Sequence, residues 1–319
     1  MFRPEEIIFA PTARCNLRCA HCRVTRVPDE LDAASAIAFM EDCAARGVER
    51  VGFSGGEPFL RPDFLREVSS AAVGLGLLFD RLMTNGVWWR DEAELTEVLG
   101  GLADAGFDGK LGLSVDAYHD SEAEALGAFV LAAFGAFGRR DCVEILSVES
   151  ADDAPLLEKL RRLAAVAGGG LILEDGRPAA IAEAPPRRGA PPRPDGEELR
   201  IDIRRFPYSA AAEEDAWRSE SWFEDDWCAG PGNVFYVHPN GKVAVCCGFA
   251  NENEELVVGR LSEGCEALLA SAARSPRVRA CYETGLGERR KALEASGTIF
   301  PGKTSDLCFF CDYLCKKGL

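Results

Sequence analysis

The sequence has no run of about 18 apolar residues, the length expected of a membrane-spanning helix. Its start, Met1-Phe2-Arg3-Pro4-Glu5-Glu6, lacks the basic and apolar segments of a secretory signal peptide. Basic residues are also scarce, because 36 Lys and Arg stand against 52 Asp and Glu. A surface that follows a phosphate backbone needs clustered Lys and Arg. We therefore expect a cytoplasmic protein with no membrane anchor and no nucleic-acid partner.

Cysteine, in contrast, is abundant, with 13 in 319 residues. Structural disulfides are rare in cytosolic proteins, so clustered cysteines indicate a metal site. Cys15, Cys19 and Cys22 form a C-x3-C-x2-C motif. Three thiolates on one loop can hold three irons of a [4Fe–4S] cluster and leave the fourth iron open. A zinc site with His21 as the fourth ligand is the alternative.

A glycine-rich loop follows at Ser54-Gly55-Gly56-Glu57-Pro58. The apolar runs Ile7–Ala10 and Arg50–Phe53 precede the cysteine motif and this loop, and both are typical of buried strands. Active-site loops of parallel α/β barrels lie at the carboxyl ends of strands. Glycines allow close approach of the backbone to a ligand, although the loop could simply be a turn.

The two motifs resemble those of the radical S-adenosylmethionine (SAM) enzymes. The resemblance implies that Cys15, Cys19 and Cys22 hold a [4Fe–4S] cluster whose open iron binds SAM. It also implies that the reduced cluster cleaves SAM to a 5′-deoxyadenosyl radical. In this family, loops after further strands contact SAM, and Ser, Asn and Asp bind hydroxyl groups in fixed directions. A turn at Asn85 and a helix cap at Asp116 are the alternatives. The implied SAM contacts are Gly55, Gly56, Glu57, Asn85, Ser114 and Asp116.

Strand and helix patterns alternate six times between Glu6 and about Asp175. Such alternation indicates an α/β fold with a parallel sheet, and six units resemble the partial (β/α)6 TIM-like barrel of radical SAM enzymes. The predicted strands are Ile7–Pro11, Arg50–Phe53, Phe79–Met83, Lys110–Val115, Val143–Val148 and Leu171–Glu174. The predicted helices are Ala33–Arg46, Pro62–Leu75, Glu92–Ala105, Glu122–Phe137 and Pro155–Ala167.

The last third of the chain is rich in cysteine and begins with a predicted β-hairpin. Alternating apolar residues flank the turn Pro239-Asn240-Gly241 and lead to Cys246. Cys308-Phe309-Phe310-Cys311 is a C-x2-C motif, and Cys315 follows it. The cysteines of this third are Cys228, Cys246, Cys247, Cys265, Cys281, Cys308, Cys311 and Cys315.

This order of cysteines resembles the SPASM and Twitch extensions of radical SAM enzymes. The resemblance implies one auxiliary [4Fe–4S] cluster, hence two clusters in all, and Cys315 could replace Cys311 as a ligand. A zinc site is the alternative. The implied ligands are Cys228, Cys246, Cys308 and Cys311. Buried core thiols are expected at Cys43, Cys142, Cys265 and Cys281.

We predict two domains, a radical SAM partial barrel at 1–195 and a small SPASM/Twitch-like domain at 196–319. The proline-rich segment Ala184–Gly196 is expected to connect them, because Pro and Gly interrupt helices and strands.

The expected function is hydrogen abstraction from a small molecule, such as a sugar or aminocyclitol, leading to dehydrogenation or epimerisation. The absence of an extension before Cys15 favours a small substrate. The alternatives are a peptide maturase that epimerises or cross-links a ribosomal peptide, and a non-catalytic Fe–S electron-transfer protein. An external donor such as flavodoxin or ferredoxin would supply electrons. Cys247 follows Cys246 and is expected to face away from it, so it is the candidate hydrogen donor of an epimerase. The alternative for Cys247 is a packing thiol.

Overall fold

The computed structural model describes residues 2–150, 152–183, 199–206, 213–224 and 233–319. The predicted connector Ala184–Gly196 and the predicted ligand Cys228 lie outside these residues. The chain forms two compact units, Met1–Leu78 with Pro207–Leu319 and Phe79–Phe206. They are called here the first unit and the second unit. Among the helices within the described ranges, none is both long and apolar enough to span a membrane.

The strands are β1 (Glu6–Phe9), β2 (Arg50–Phe53), β3 (Leu78–Thr84), β4 (Lys110–Ser114), β5 (Val143–Val148), β6 (Gly170–Glu174), β7 (Arg177–Ala182), β8 (Arg200–Phe206), β9 (Val234–Val237), β10 (Lys242–Ala244) and β11 (Val257–Arg260). The helices are α1 (Ala33–Ala44), α2 (Pro62–Gly74), α3 (Glu92–Asp104), α4 (Ala123–Phe137), α5 (Ala154–Val166), α6 (Glu213–Ala216), α7 (Cys265–Arg274), α8 (Pro276–Arg279), α9 (Leu286–Ala295) and α10 (Leu307–Lys317). A π-helical turn spans Ala280–Thr284. The predicted α/β alternation is thereby confirmed from β1 to α5.

The sheet of the first unit is built around β1. It pairs in parallel with β2 on one side and with β9 on the other, and Phe9 lies opposite both Phe53 and Val237. The chain then returns through β10 and β11, which are antiparallel. Ile7, Phe9 and Phe53 are fully buried. The burial of these apolar side chains therefore fixes the position of the loop that follows β1.

The hairpin predicted after residue 233 is confirmed as β9 and β10. Gly241 lies in its turn with φ +80°, a conformation that favours glycine. Strand β10 ends at Ala244, two residues before Cys246. Strict alternation along a strand therefore does not apply to Cys246 and Cys247, although Cys246 is buried and Cys247 is exposed.

The second unit contains a parallel sheet in the order β3, β4, β5 and β8. The prediction that Leu171–Glu174 is the sixth parallel strand is wrong. Strand β6 pairs antiparallel with β7, which pairs antiparallel with β8. The reason is a tight turn at Asp175 and Gly176, which have φ values of +49° and +78°. An Asp-Gly turn with two positive φ values suits a two-residue β-hairpin. Strand β8 takes the parallel position beside β5 instead.

Candidate active site and auxiliary metal centre

The cysteine loop begins where β1 ends. Cys15 and Cys19 are half-buried and Cys22 is exposed, and no cysteine of the described residues forms a disulfide. The Cys15 Sγ accepts a hydrogen bond from the Leu17 backbone N–H at 3.4 Å, and the Cys22 N–H donates to the Cys19 carbonyl at 3.1 Å. Backbone donors to sulfur stabilise a thiolate, so this loop fits a cluster ligand set.

Arg26 holds the cysteine loop in its conformation. Its guanidinium donates to the carbonyl of Cys15 at 3.3 Å and to that of Leu17 at 2.8 Å. The planar guanidinium can reach two carbonyls at once, which a lysine cannot do in the same way. The sequence alone assigns Arg26 no role, because its spacing from the motif does not show that the chain folds back here.

The Gly-Gly-Glu loop packs directly against the cysteine loop. The Gly56 N–H donates to the Thr12 carbonyl at 2.8 Å, and the Glu57 N–H donates to the Arg14 carbonyl at 2.7 Å. A Cβ atom on Gly55, which has φ +120°, would lie 2.7 Å from the Thr12 carbonyl oxygen. A Cβ atom on Gly56 would lie 2.1 Å from the Arg14 carbonyl oxygen. Both glycines are therefore required for the close contact between the two loops.

Glu57 is completely buried, and its Oε1 accepts a hydrogen bond from the Phe59 N–H at 3.2 Å. It caps the short 3-10 turn Pro58–Leu60. This contact gives the carboxylate a local structural role, and its contact with SAM stays a prediction.

A cavity of about 250 Å³ opens beside the cysteine loop within the first unit. Thr12, Val24 and Gly55 line it from the two loops, and His238 and Glu252 line it from the chain around the β9–β10 hairpin. The His238 ring contacts the Asn251 carbonyl through Nε2 at 3.1 Å. That contact requires a proton on Nε2, while burial lowers the pKa of His238. The ring is therefore neutral near pH 7, with Nδ1 as its acceptor.

The second unit contains the other predicted SAM contacts. Asn85 and Asp116 are buried, and Ser114 is half-buried at the end of β4. The Asn85 Oδ1 accepts from the Val87 N–H at 2.8 Å. The Asp116 Oδ1 accepts from the Tyr118 N–H at 2.8 Å and contacts His119 Nδ1 at 2.9 Å. Asn85 thus forms the turn that was its alternative interpretation, whereas Asp116 caps a turn and no helix. The role of Asn85, Ser114 and Asp116 toward SAM stays a prediction.

Ser147 provides a further polar group near the end of β5. Its side chain is fully buried, and its Oγ is without a hydrogen-bond partner among the described residues. Buried hydroxyl groups are almost always paired. Ser147 lies near the carboxyl end of β5, so it joins the candidates for ligand contact.

The C-terminal cysteines approach each other around α10. Cys308, Cys311 and Cys315 share one face of this helix, because they are spaced by three and four residues. A Cβ atom on Gly248 would lie 3.0 Å from Cys308 Sγ and 4.0 Å from Cys246 Sγ. Gly248 thus leaves room between two of the predicted ligands. Cys246 and Cys308 therefore both lie near Gly248, and Cys311 shares the helix face of Cys308. The fourth predicted ligand, Cys228, lies outside the described residues.

The remaining cysteines behave as the sequence predicts. Cys43, Cys142, Cys265 and Cys281 are all buried. Burial raises the pKa of Cys142 to about 11, which keeps it a neutral thiol. Cys43 and Cys265 are hydrogen-bonded to each other.

Comparison with known proteins agrees with this geometry. Residues 9–135 match the family model of the Radical SAM superfamily. A PqqA peptide cyclase of Methylorubrum populi is 35% identical over 135 residues, which are 39% of this chain and 33% of that protein. The chain thus spans about a third of the length of this curated relative.

Two solved structures share the fold over nearly the whole chain. The structure of anSMEcpe with bound AdoMet has a TM-score of 0.54 at 14% identity, over 98% of this chain and 95% of that one. The structure of Streptococcus suis SuiB has a TM-score of 0.53 at 13% identity, over 96% of this chain and 77% of that one.

The matched residues contain both the cysteine loop and the Gly-Gly-Glu loop. Residues 9–135 therefore match a radical SAM domain, as the motifs predict. The family uses a [4Fe–4S] cluster together with SAM. The SPASM/Twitch-like assignment of the C-terminal cysteines and the boundary between 195 and 196 stay predictions.

Proposed function

We propose that this chain is a radical SAM enzyme that modifies a peptide. The observation that carries the proposal is the contact of the Gly-Gly-Glu loop with the cysteine loop, in which Gly55 and Gly56 leave no room for a Cβ atom against the backbone of the cysteine loop. A zinc site or an electron carrier has no need of such a loop. With its cluster and SAM bound, the site would supply a 5′-deoxyadenosyl radical that abstracts a hydrogen atom from the substrate.

In this proposal, different residues of the chain hold the two clusters. Cys15, Cys19 and Cys22 would hold the cluster, and the Leu17 N–H and the Arg26 guanidinium would fix the loop around it. The auxiliary cluster would be held by Cys246, Cys308 and either Cys311 or Cys315, together with Cys228. An external reductant of the flavodoxin or ferredoxin kind would supply the electron.

The relatives support a peptide substrate better than the small molecule expected from the sequence. The curated relative reported above is named a PqqA peptide cyclase. In this proposal the cavity of about 250 Å³ beside the cysteine loop receives one side chain of the peptide, with His238 as a polar contact.

The experiment compares substrate classes directly. The anaerobically reconstituted protein is incubated with SAM, reductant and either a library of peptides or a set of sugars and aminocyclitols. We expect some peptides to increase the yield of 5′-deoxyadenosine and to change in mass. In the variant His238→Gln, the KM for such a peptide should rise, while SAM cleavage without peptide is unchanged. Acceleration and conversion confined to the sugars and aminocyclitols would overturn the peptide assignment.

A further inference from the structure

The charged side chains that line the cavity beside the cysteine loop do not balance. Lys242, Glu252 and Glu254 all line it. The Lys242 ammonium forms an ion pair with the Glu254 carboxylate. Among the residues that the structure describes, no lysine or arginine pairs with Glu252. One carboxylate of the cavity is therefore left without a positive partner.

Glu252 is held at the cavity by a backbone contact. Its Oε1 accepts a hydrogen bond from the Thr25 N–H at 3.2 Å, and Thr25 also lines the cavity. Glu252 is half-buried and ends the 3-10 turn Phe249–Glu252. A carboxylate has two oxygens and about four acceptor positions. The contact with Thr25 uses one of these positions, so Glu252 can still accept from a ligand.

His238 adds a second acceptor to the same cavity. The side chain is 9% exposed, and its Nε2–H donates to the Asn251 carbonyl at 3.1 Å. Within the described ranges, its Nδ1 has no hydrogen-bond partner. Burial lowers the pKa of His238 against the opposing effect of the Glu252 carboxylate. The ring is therefore neutral near pH 7, so it does not neutralise Glu252, and its Nδ1 can accept from a donor.

We propose that the cavity beside the cysteine loop selects a basic side chain of the peptide substrate, with Glu252 as the residue that determines this preference. The inference rests on the proposed function. A lysine ammonium or an arginine guanidinium donates several hydrogen bonds and accepts none, which matches the two acceptors of the cavity. Hydrogen bonds between charged groups are stronger than those between neutral groups. An acidic side chain would instead place two like charges together, which opposes binding.

The test uses sets of peptides that differ at one position, which is lysine, norleucine or glutamate. Norleucine keeps the carbon chain of lysine and lacks the ammonium group. The parent protein is compared with Glu252→Gln, whose amide oxygen can still accept from the Thr25 N–H. Glu263→Gln is the matched control. Glu263 Oε1 also accepts from a backbone N–H, that of Arg260 at 2.8 Å, and Glu263 does not line this cavity.

Peptide binding is measured by fluorescence anisotropy, and kcat and KM are measured from the peptide product. We expect the parent protein to prefer lysine to norleucine at one position of the peptide. In Glu252→Gln, the KM for the lysine peptide should rise about tenfold, the order expected for one hydrogen bond between charged groups. The kcat and the KM for SAM should change little. Glu263→Gln should behave as the parent, and Glu252→Lys should prefer the glutamate peptide.

The contradicting results are distinct from each other. Equal treatment of lysine and norleucine peptides by the parent protein overturns this inference and leaves peptide modification intact. A preference for lysine that survives in Glu252→Gln overturns the role of Glu252. A rise confined to the KM for SAM in Glu252→Gln means that the carboxylate serves SAM, which also overturns that role. Conversion of no peptide overturns the proposed function, and this inference falls with it.

Discussion

At the scale of the single residue, Gly56 shows how tightly the two loops of the candidate site are fitted. The atoms nearest to an added Cβ are backbone atoms of Arg14 and Ala13, at 2.1 Å and 2.7 Å. Backbone cannot rotate away as the end of a flexible side chain can. A side chain at this position must therefore displace the start of the cysteine loop.

Gly56→Ala should destabilise the protein by about 1–3 kcal/mol, as overpacking does in other interiors. It should also lower the amount of iron that the chain retains at the N-terminal cysteine motif. Gly100 is the matched control, because it lies within α3 and an added Cβ would meet nothing within 4 Å. Gly100→Ala should stabilise by about 0.5–1 kcal/mol, the helix propensity difference. Thermal unfolding and iron analysis measure both effects, and equal behaviour of the two variants would contradict the account.

Cys247 is the second prediction at this scale. It is exposed beside the buried Cys246, and a thiol can donate a hydrogen atom to a carbon radical. If the reaction is an epimerisation, Cys247→Ala should lose product while SAM is still cleaved. Product formed by the parent protein in deuterated buffer should then carry one solvent deuterium. Undiminished product from the variant, with its iron intact, would exclude the donor role.

At the scale of the element, α10 is the helix that orders the C-terminal cysteines. Its first turn is capped by Asp306, whose Oδ1 accepts from the N–H groups of Cys308 at 2.8 Å and Phe309 at 3.1 Å. Asp306→Ala should cost about 0.5–2 kcal/mol, the usual effect of losing an N-cap. It should also loosen Cys308 and reduce the iron of the auxiliary cluster.

Asp306→Asn tests the cause of that loss, because its amide oxygen can still accept both hydrogen bonds. We expect this variant to keep its iron and nearly all of its stability. Chemical unfolding and iron analysis of the two variants make the comparison. If Asp306→Asn loses as much iron as Asp306→Ala, the negative charge matters and the capping explanation is wrong.

The elements also show what sequence patterns can predict. Helices α1 to α5 and strands β1 to β5 were predicted because local periodicity decides them. The assignment of Leu171–Glu174 was wrong because its apolar residues resemble a parallel strand, whereas the Asp175-Gly176 turn decides the pairing. That dipeptide is a known hairpin signal and was available in the sequence. The parallel pairing of β9 with β1 was not predictable, since it joins segments more than 200 residues apart.

At the scale of the whole molecule, the candidate cysteine ligands can be proposed from the sequence, whereas the residues that support them cannot. Candidate metal ligands are recognised by residue type and spacing, and both can be read from a single sequence. Arg26 and Gly248 act through contacts that exist only after folding. The cavity beside the cysteine loop was also beyond the sequence, because it combines residues from distant segments.

The first unit unites segments that the sequence assigned to two domains. Residues 1–78 and 207–319 are compact together, because β9 adds to the sheet beside β1. Both sets of cysteines therefore belong to one unit. A substitution that unfolds this unit should lead to loss of both clusters. Removal of the ligands of one cluster should leave the other cluster bound.

The central claim is that Cys15, Cys19 and Cys22 hold a cluster that cleaves SAM. The most direct measurement is the yield of 5′-deoxyadenosine after anaerobic incubation of the reconstituted protein with SAM and a strong reductant. The parent protein should form 5′-deoxyadenosine, and the variant with all three cysteines replaced by Ala should form none and lose about four irons per chain. Formation of 5′-deoxyadenosine by the triple variant at the rate of the parent protein would contradict the account.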